Sequence, residues 1–237
     1  MARLVLLHGF TQTSACWGPA GAGLAGAGHE LVALDLPGHG TRSSETAGLD
    51  DGAPALAQSG GPGTWVGYSL GARWALAVAL ARPDVVDRLV LIGGTAGIED
   101  AGERARRRAE DEDRAAHLEA VGVDAFVAEW VALPLFAGIP PEHRGDDARR
   151  SNTVAGLASS LRLAGQGSVA PMWDRLSVVR VPVLVVTGER DARYTALGQR
   201  LVAALPDATL AVVAGAGHAA HLEQPGAFLD AVLPWLG

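Results

Sequence analysis

The chain has 237 residues, 49% of them hydrophobic, and a net charge of −7. That length holds one domain with an insertion and a sizeable core, and the acidic balance argues against nucleic acid as a partner. A single cysteine, Cys16, rules out an internal disulfide and a multi-cysteine metal site, and all 19 basic residues are arginine.

The opening apolar run Leu4–Leu7 reads as a strand buried on both faces of a parallel sheet. It is too short for the core of a secretion signal, and no later stretch reaches membrane-spanning length, so a cytoplasmic protein with no membrane partner is expected. Residues 14–28 are small and Gly-rich, with a short helix anchored by Trp17. Leu31–Leu34 is a second strand, closed by the turn Asp35-Leu36-Pro37-Gly38-His39-Gly40. A helix is expected near Asp50–Gln58 in the polar segment 41–63. A third strand, Trp65-Val66, leads into Gly67-Tyr68-Ser69-Leu70-Gly71, and a helical pattern runs from Leu70 to Arg82 until Pro83 stops it. Arg88–Ile92 is a fourth strand.

Residues 98–166 change character. Glu99–Glu119 is dense in charge at helical spacing, and Ala125–Leu133 and Leu157–Leu163 are further helical pieces with no strand between them. Too small to bury a core alone, this insertion is expected to lie over the sheet as a cap, with 1–97 and 167–237 forming the core domain. Pro182–Val186 restarts the sheet, a helix covers 195–205, Thr209–Val213 is the last strand and Pro225–Leu236 the closing helix. Strands alternating with helices predict an α/β fold: a mostly parallel sheet with helices on both faces and chemistry at the carboxyl ends of the strands.

The pentapeptide around Ser69 has the context that gives G-x-S-x-G its meaning: a strand, a sharp turn and a helix. The turn strains the backbone, so its flanks must be small, as Gly67 and Gly71 are. Asp191 and His218 each stand just past the carboxyl end of a strand, so all three side chains can converge on one edge. His218 is then the base that takes the serine proton, and Asp191 holds its tautomer. Two backbone N–H groups should form an oxyanion site: that of Leu70, after the nucleophile, and that of Phe10, after the first strand. His8 is expected to orient that loop and His39 a tight turn, and His221 is a pocket residue or a cap. His29, His117 and His143 read as surface residues. No histidine pair has metal-ligand spacing with acidic support, so neither metal nor cofactor is expected.

His8-Gly9-Phe10, the Asp35–Gly40 turn, the Ser69 turn and Gly215-Ala216-Gly217-His218, in the order Ser69, Asp191, His218, resemble the α/β-hydrolase superfamily. Narrower features are similar to the menaquinone-pathway 2-succinyl-6-hydroxy-2,4-cyclohexadiene-1-carboxylate synthases: Arg73 four residues after Ser69, the arginine run Arg104–Arg108, Phe126–Trp130 before Pro134, Arg149-Arg150-Ser151-Asn152, and Gly188–Asp191. The resemblance runs nearly end to end, cap included. It implies a lyase that eliminates pyruvate from 2-succinyl-5-enolpyruvyl-6-hydroxy-3-cyclohexene-1-carboxylate, with the Ser69 triad abstracting a proton. It also implies a small polycarboxylate substrate bound by Arg73, Arg107 and Arg150, with Tyr68 and Trp130 as pocket aromatics. Ala72 stands where those enzymes tend to have a second glycine. Without the arginine set, the same residues suit a serine hydrolase, either an esterase or a carbon–carbon bond hydrolase. A non-catalytic ligand receptor is the remaining reading.

Overall fold

The computed structural model describes residues 1–237. Strands β1 (Arg3–Leu7), β2 (Glu30–Leu34), β3 (Gly63–Tyr68), β4 (Val86–Ile92), β5 (Val183–Gly188) and β6 (Ala208–Val213) form one sheet in the order β2-β1-β3-β4-β5-β6. Every adjacent pair is parallel. Parallel pairing demands crossovers. These are supplied by α1 (Gly18–Gly26), α2 (Leu49–Gly60), α3 (Leu70–Ala81) and α7 (Ala192–Ala204). Alternate side chains of the strands feed two separate cores. Val5, Leu7, Trp65, Leu89, Leu91 and Val185 pack under α2, α3 and α7. Leu4, Leu6, Val66, Tyr68, Val90 and Val186 pack under α1 and the C-terminal α9 (Pro225–Leu236). Burial on both faces is why these strands are continuous apolar runs in the sequence.

The chain leaves β1 toward one edge and returns at β3 to build toward the other, so the order reverses between β1 and β3. That reversal opens a crevice beyond the carboxyl ends of the two strands. The loop carrying Phe10 and the turn carrying Ser69 border it.

Residues 98–166 hold α4 (Ala101–Val131), two single 3₁₀ turns, α5 (Asp146–Arg150) and α6 (Val154–Ala164). The α4 N-terminus is capped by Asp100, whose carboxylate accepts the Glu103 N–H at 2.7 Å. Gly122, with φ 81° and ψ 170°, breaks its helical geometry, so the two helical stretches read from sequence join through a kink. Ala115, Leu118 and Phe126 pack against Leu157, Ala158 and Leu161 of α6 in a small core of their own. On the outer face Arg162 bridges Glu112 (2.7 Å) and Glu119 (2.5 Å).

Some sequence expectations need correction. Helix α7 starts at Ala192 rather than at 195, because Asp191 caps it by accepting the Tyr194 N–H at 3.1 Å. A 3₁₀ helix at Trp173–Val178 has no periodic signal; it is held by Trp173, whose ring lies 3.8 Å beneath the Arg200 guanidinium. His29 is buried and accepts the Ala2 N–H at 3.2 Å, and half-buried His143 bonds the Leu222 carbonyl at 2.9 Å. Neither is the surface residue expected, since each ties a loop to a neighbouring segment.

Three buried histidines make the fold sensitive to acid. Burial lowers His8 to about 4, and His39 and His221 to about 3, from an ordinary 6.5. A lowered folded-state value means the neutral form is the folded one. The stability is therefore whole above pH 6.5 and drains as the pH falls toward 4 and then 3. Urea unfolding should take up nearly three protons at about pH 5, with the midpoint falling steadily on acidification. A midpoint flat from neutrality to pH 4 would contradict this.

Candidate active site

Ser69 occupies the turn between β3 and α3 with φ 52° and ψ −103°. A serine is rarely held at positive φ. The surroundings impose it: the Ser69 N–H is fixed to the Ile92 carbonyl at 2.8 Å, and the chain must enter α3 at once. The room comes from two glycines. A Cβ on Gly67 would overlap the Gly71 carbonyl, and one on Gly71 would overlap the Leu7 carbonyl. Both obstacles are backbone and cannot rotate away. Gly71→Ala should therefore cost on the order of 1–3 kcal/mol or more. Thermal unfolding would show it, and an unchanged melting temperature would mean the turn has slack.

His218 lies in the loop after β6. Its Nε2 is 3.1 Å from Ser69 Oγ and its Nδ1 2.9 Å from Asp191 Oδ2. Burial pushes the Asp191 carboxyl up, but the bonds from His218 and the Tyr194 N–H outweigh it and hold the group below its ordinary value. The Asp191 carboxylate is thus charged, with one oxygen on the imidazole and the other on its own helix cap. Such an arrangement can draw a proton from the hydroxyl and keep the resulting imidazolium paired.

Two N–H groups border the same space. Leu70 is the first residue of α3, whose leading N–H groups have no partner within the helix. The Phe10 N–H donates to no backbone carbonyl. The next residue, Thr11, is the other non-glycine at positive φ, 66°. It is gripped from the cap: Asn152 Nδ2 donates to its carbonyl at 2.7 Å, and Arg149 donates to its hydroxyl. His8 steadies the same loop. Leu36 N–H donates to its Nε2 at 3.1 Å, so Nδ1 carries the proton and bonds the Gly9 carbonyl at 2.8 Å.

Between core and cap lies a cavity of about 370 Å³ reached by Ser69 and His218. Five arginines border it (Arg73, Arg107, Arg114, Arg149 and Arg193) against two carboxylates, Asp111 and Asp191. In a chain of net charge −7 this is a local reversal of sign. Arg73 is buried and has no carboxylate within 4.0 Å, only the Ala164 carbonyl at 2.5 Å. Burial lowers it to about 10, still cationic at neutral pH. Arg149 is 2% exposed and donates to the Arg144 and Phe10 carbonyls and the Thr11 hydroxyl, again with no carboxylate. Unpaired buried cations are costly unless an anion arrives.

Of the residues singled out from sequence, Ser69, Asp191, His218, Phe10, Leu70, Arg73, Arg107, Tyr68 and Trp130 all border the cavity. Arg107 also pairs with buried Asp111 at 2.9 Å. Arg150 does not border it. Its side chain is 40% exposed and reaches Asp124 and Asp147 only at 4.0 Å. Arg149 faces inward instead, because neighbouring residues on the one-turn helix α5 point about 100° apart. His221 is neither a cavity residue nor a cap. It lies one layer behind, 4.5 Å from the Tyr68 ring and 5.1 Å from Trp17.

Sequence reasoning passed over Tyr194. Its ring centroid is 4.3 Å from that of His218, and its hydroxyl accepts a bond from the cap residue Gln166 at 3.2 Å. Reading Asp191 as a helix cap would have brought Tyr194 into view, three residues on. No cluster of three His, Cys, Asp or Glu side chains could hold a metal ion.

A sequence profile of the alpha/beta hydrolase family matches residues 4–231. A 2-succinyl-6-hydroxy-2,4-cyclohexadiene-1-carboxylate synthase of Escherichia coli is 31% identical, over 94% of this chain and 88% of its own. A Bacillus subtilis protein provisionally given the same name is 34% identical, over 95% of this chain and 86% of its own. Among solved structures, MenH from S. aureus superposes with a TM-score of 0.90 at 28% identity, covering 99% of this chain and 92% of its own.

Proposed function

Because the chain belongs to the alpha/beta hydrolase family, among its 2-succinyl-6-hydroxy-2,4-cyclohexadiene-1-carboxylate synthases, we propose that Ser69, His218 and Asp191 drive the elimination for which those enzymes are named. The protein is a menaquinone-pathway synthase, a lyase that removes pyruvate from 2-succinyl-5-enolpyruvyl-6-hydroxy-3-cyclohexene-1-carboxylate. The carrying observation is the buried, carboxylate-free pair Arg73 and Arg149 beside a Ser69–His218–Asp191 relay.

The chemistry follows from the substrate. The succinyl ketone acidifies the ring C2–H. Ser69 Oγ takes that proton as its own passes to His218 Nε2, 3.1 Å away. The electron pair forms C2=C3, the C3=C4 pair shifts to C4=C5, and the C5–O bond breaks. Enolpyruvate leaves and becomes pyruvate, and the proton on His218 returns through Ser69. Negative charge builds on the ketone oxygen during this shift, and the Phe10 and Leu70 N–H groups are the donors that would receive it. The substrate's carboxylates suit the arginine forks, with Arg73 and Arg149 as principal ligands and Arg107 beside them. Tyr68 and Trp130 form apolar wall. No nucleic-acid or membrane partner belongs to this reading, and a cytoplasmic location is part of it; no helix is long and apolar enough to cross a membrane.

The test is direct: purified protein given the enolpyruvyl substrate should release pyruvate, followed by coupled reduction to lactate. No release at substantial enzyme concentration would reject the assignment.

A further inference from the structure

Asp191 holds the imidazole of His218, but no member of the triad holds the backbone that carries it. Strand β6 ends at Val213, and the short helix α8 (Ala220–Glu223) begins two residues past the histidine, so His218 sits on irregular backbone. Its two neighbouring peptide groups are nevertheless tied down. Glu223 Oε2 accepts the Gly217 N–H at 2.7 Å and Oε1 accepts the Ala219 N–H at 3.0 Å. One carboxylate thus brackets the histidine from both sides. Glu223 is buried, and no arginine or histidine pairs with it within 4.0 Å. A buried acid side chain with no cationic partner is retained only where its hydrogen bonds are needed.

The carboxylate has almost no freedom. A Cβ on Gly138, in the cap segment after Phe136, would run into Glu223 Oε2 and Cδ. Gly138 is not at positive φ, so the backbone there would accept alanine and the only obstacle is the Glu223 side chain.

We propose that Glu223 is a positioning residue for the reaction: its bidentate hold on Gly217 and Ala219 keeps His218 in register with Ser69 and Asp191, and glycine at 138 is the cap's condition for that hold. This rests on the reading of Ser69 and His218 as the reacting pair. Glutamine at 223 keeps one acceptor oxygen but turns an NH₂ toward the second N–H, so one side of the bracket opens. Alanine at 138 displaces the same carboxylate from the cap side and leaves Glu223 chemically intact.

The test reads the triad without the enolpyruvyl substrate. A fluorophosphonate phosphonylates an activated serine: the Oγ–P bond forms, the P–F bond breaks, and the hydroxyl proton leaves through the histidine as fluoride departs. Glu223→Gln and Gly138→Ala should each slow labelling of Ser69 by about ten- to a hundredfold, the scale of a small misplacement of reacting groups. Both should weaken the low-field proton resonance of His218 Nδ1 while unfolding remains cooperative. Labelling rates and that resonance unchanged in both folded variants would overturn the proposal. If Glu223→Gln does not fold, Gly138→Ala decides alone. A wild-type protein that the reagent does not label at Ser69 would defeat the underlying reading of the pair, a different failure.

Discussion

Ser69→Ala should lower the rate of pyruvate release by about 10²–10⁴-fold, the contribution of a positioned proton acceptor. The size follows from the geometry. His218 Nε2 stands 3.1 Å behind the hydroxyl, so without Oγ the imidazole meets the substrate proton only across a gap or through water. The arginines that would hold the carboxylates are untouched by the change, so KM should stay near wild type while kcat falls, the pattern of an interaction made in the transition state alone. Steady-state kinetics with the enolpyruvyl substrate measures both constants. Turnover within tenfold of wild type would mean that His218 acts directly or that another group is the base.

Arg149→Ala and Arg150→Ala should differ sharply although the residues adjoin. A charge-assisted contact is worth about 1.5–3 kcal/mol, so loss of Arg149 should cost roughly ten- to a hundredfold in kcat/KM. Most of that should appear as a raised KM. A fall in kcat should accompany it, since Arg149 also braces Thr11 and Phe10 in the loop expected to hold the oxyanion. Arg150 is 40% exposed with acidic neighbours only at 4.0 Å, and its removal should leave both constants within about twofold, as for a weak surface pair. Equal losses in the two variants, or a loss confined to Arg150, would place the substrate elsewhere.

The strand–turn–helix around Ser69 was legible because it is local. Its demands fall on Gly67 and Gly71, within two residues of the serine. The buried strands were legible for a related reason, since burial on both faces writes an unbroken apolar run. Asp191 and His218 could be picked out because each stands a few residues past the carboxyl end of a strand, Asp191 after β5 and His218 after the edge strand β6. The arginines show where local reading ends. Arg73 is one turn along a helix anchored by the Ser69 turn, and its facing is set by that anchor. Arg149 and Arg150 lie on a five-residue helix in the cap, where every residue but Ala148 is charged. A slip of one residue there rotates the inward side chain outward, and no local signal marks the difference.

The chain by itself determined the alternation of strands and helices, the strained serine, and the order in which its partners arrive. These depend on periodicity, on glycine and on short-range sterics. Only the tertiary structure decided that Arg149 rather than Arg150 turns inward, that Tyr194 flanks the histidine, and that Glu223 brackets it. The first rests on the pitch of a short helix and the second on a contact between the first turn of α7 and the loop after β6. The third is close in the chain but depends on how the irregular backbone before α8 folds back on itself, and none of these leaves a pattern along the sequence.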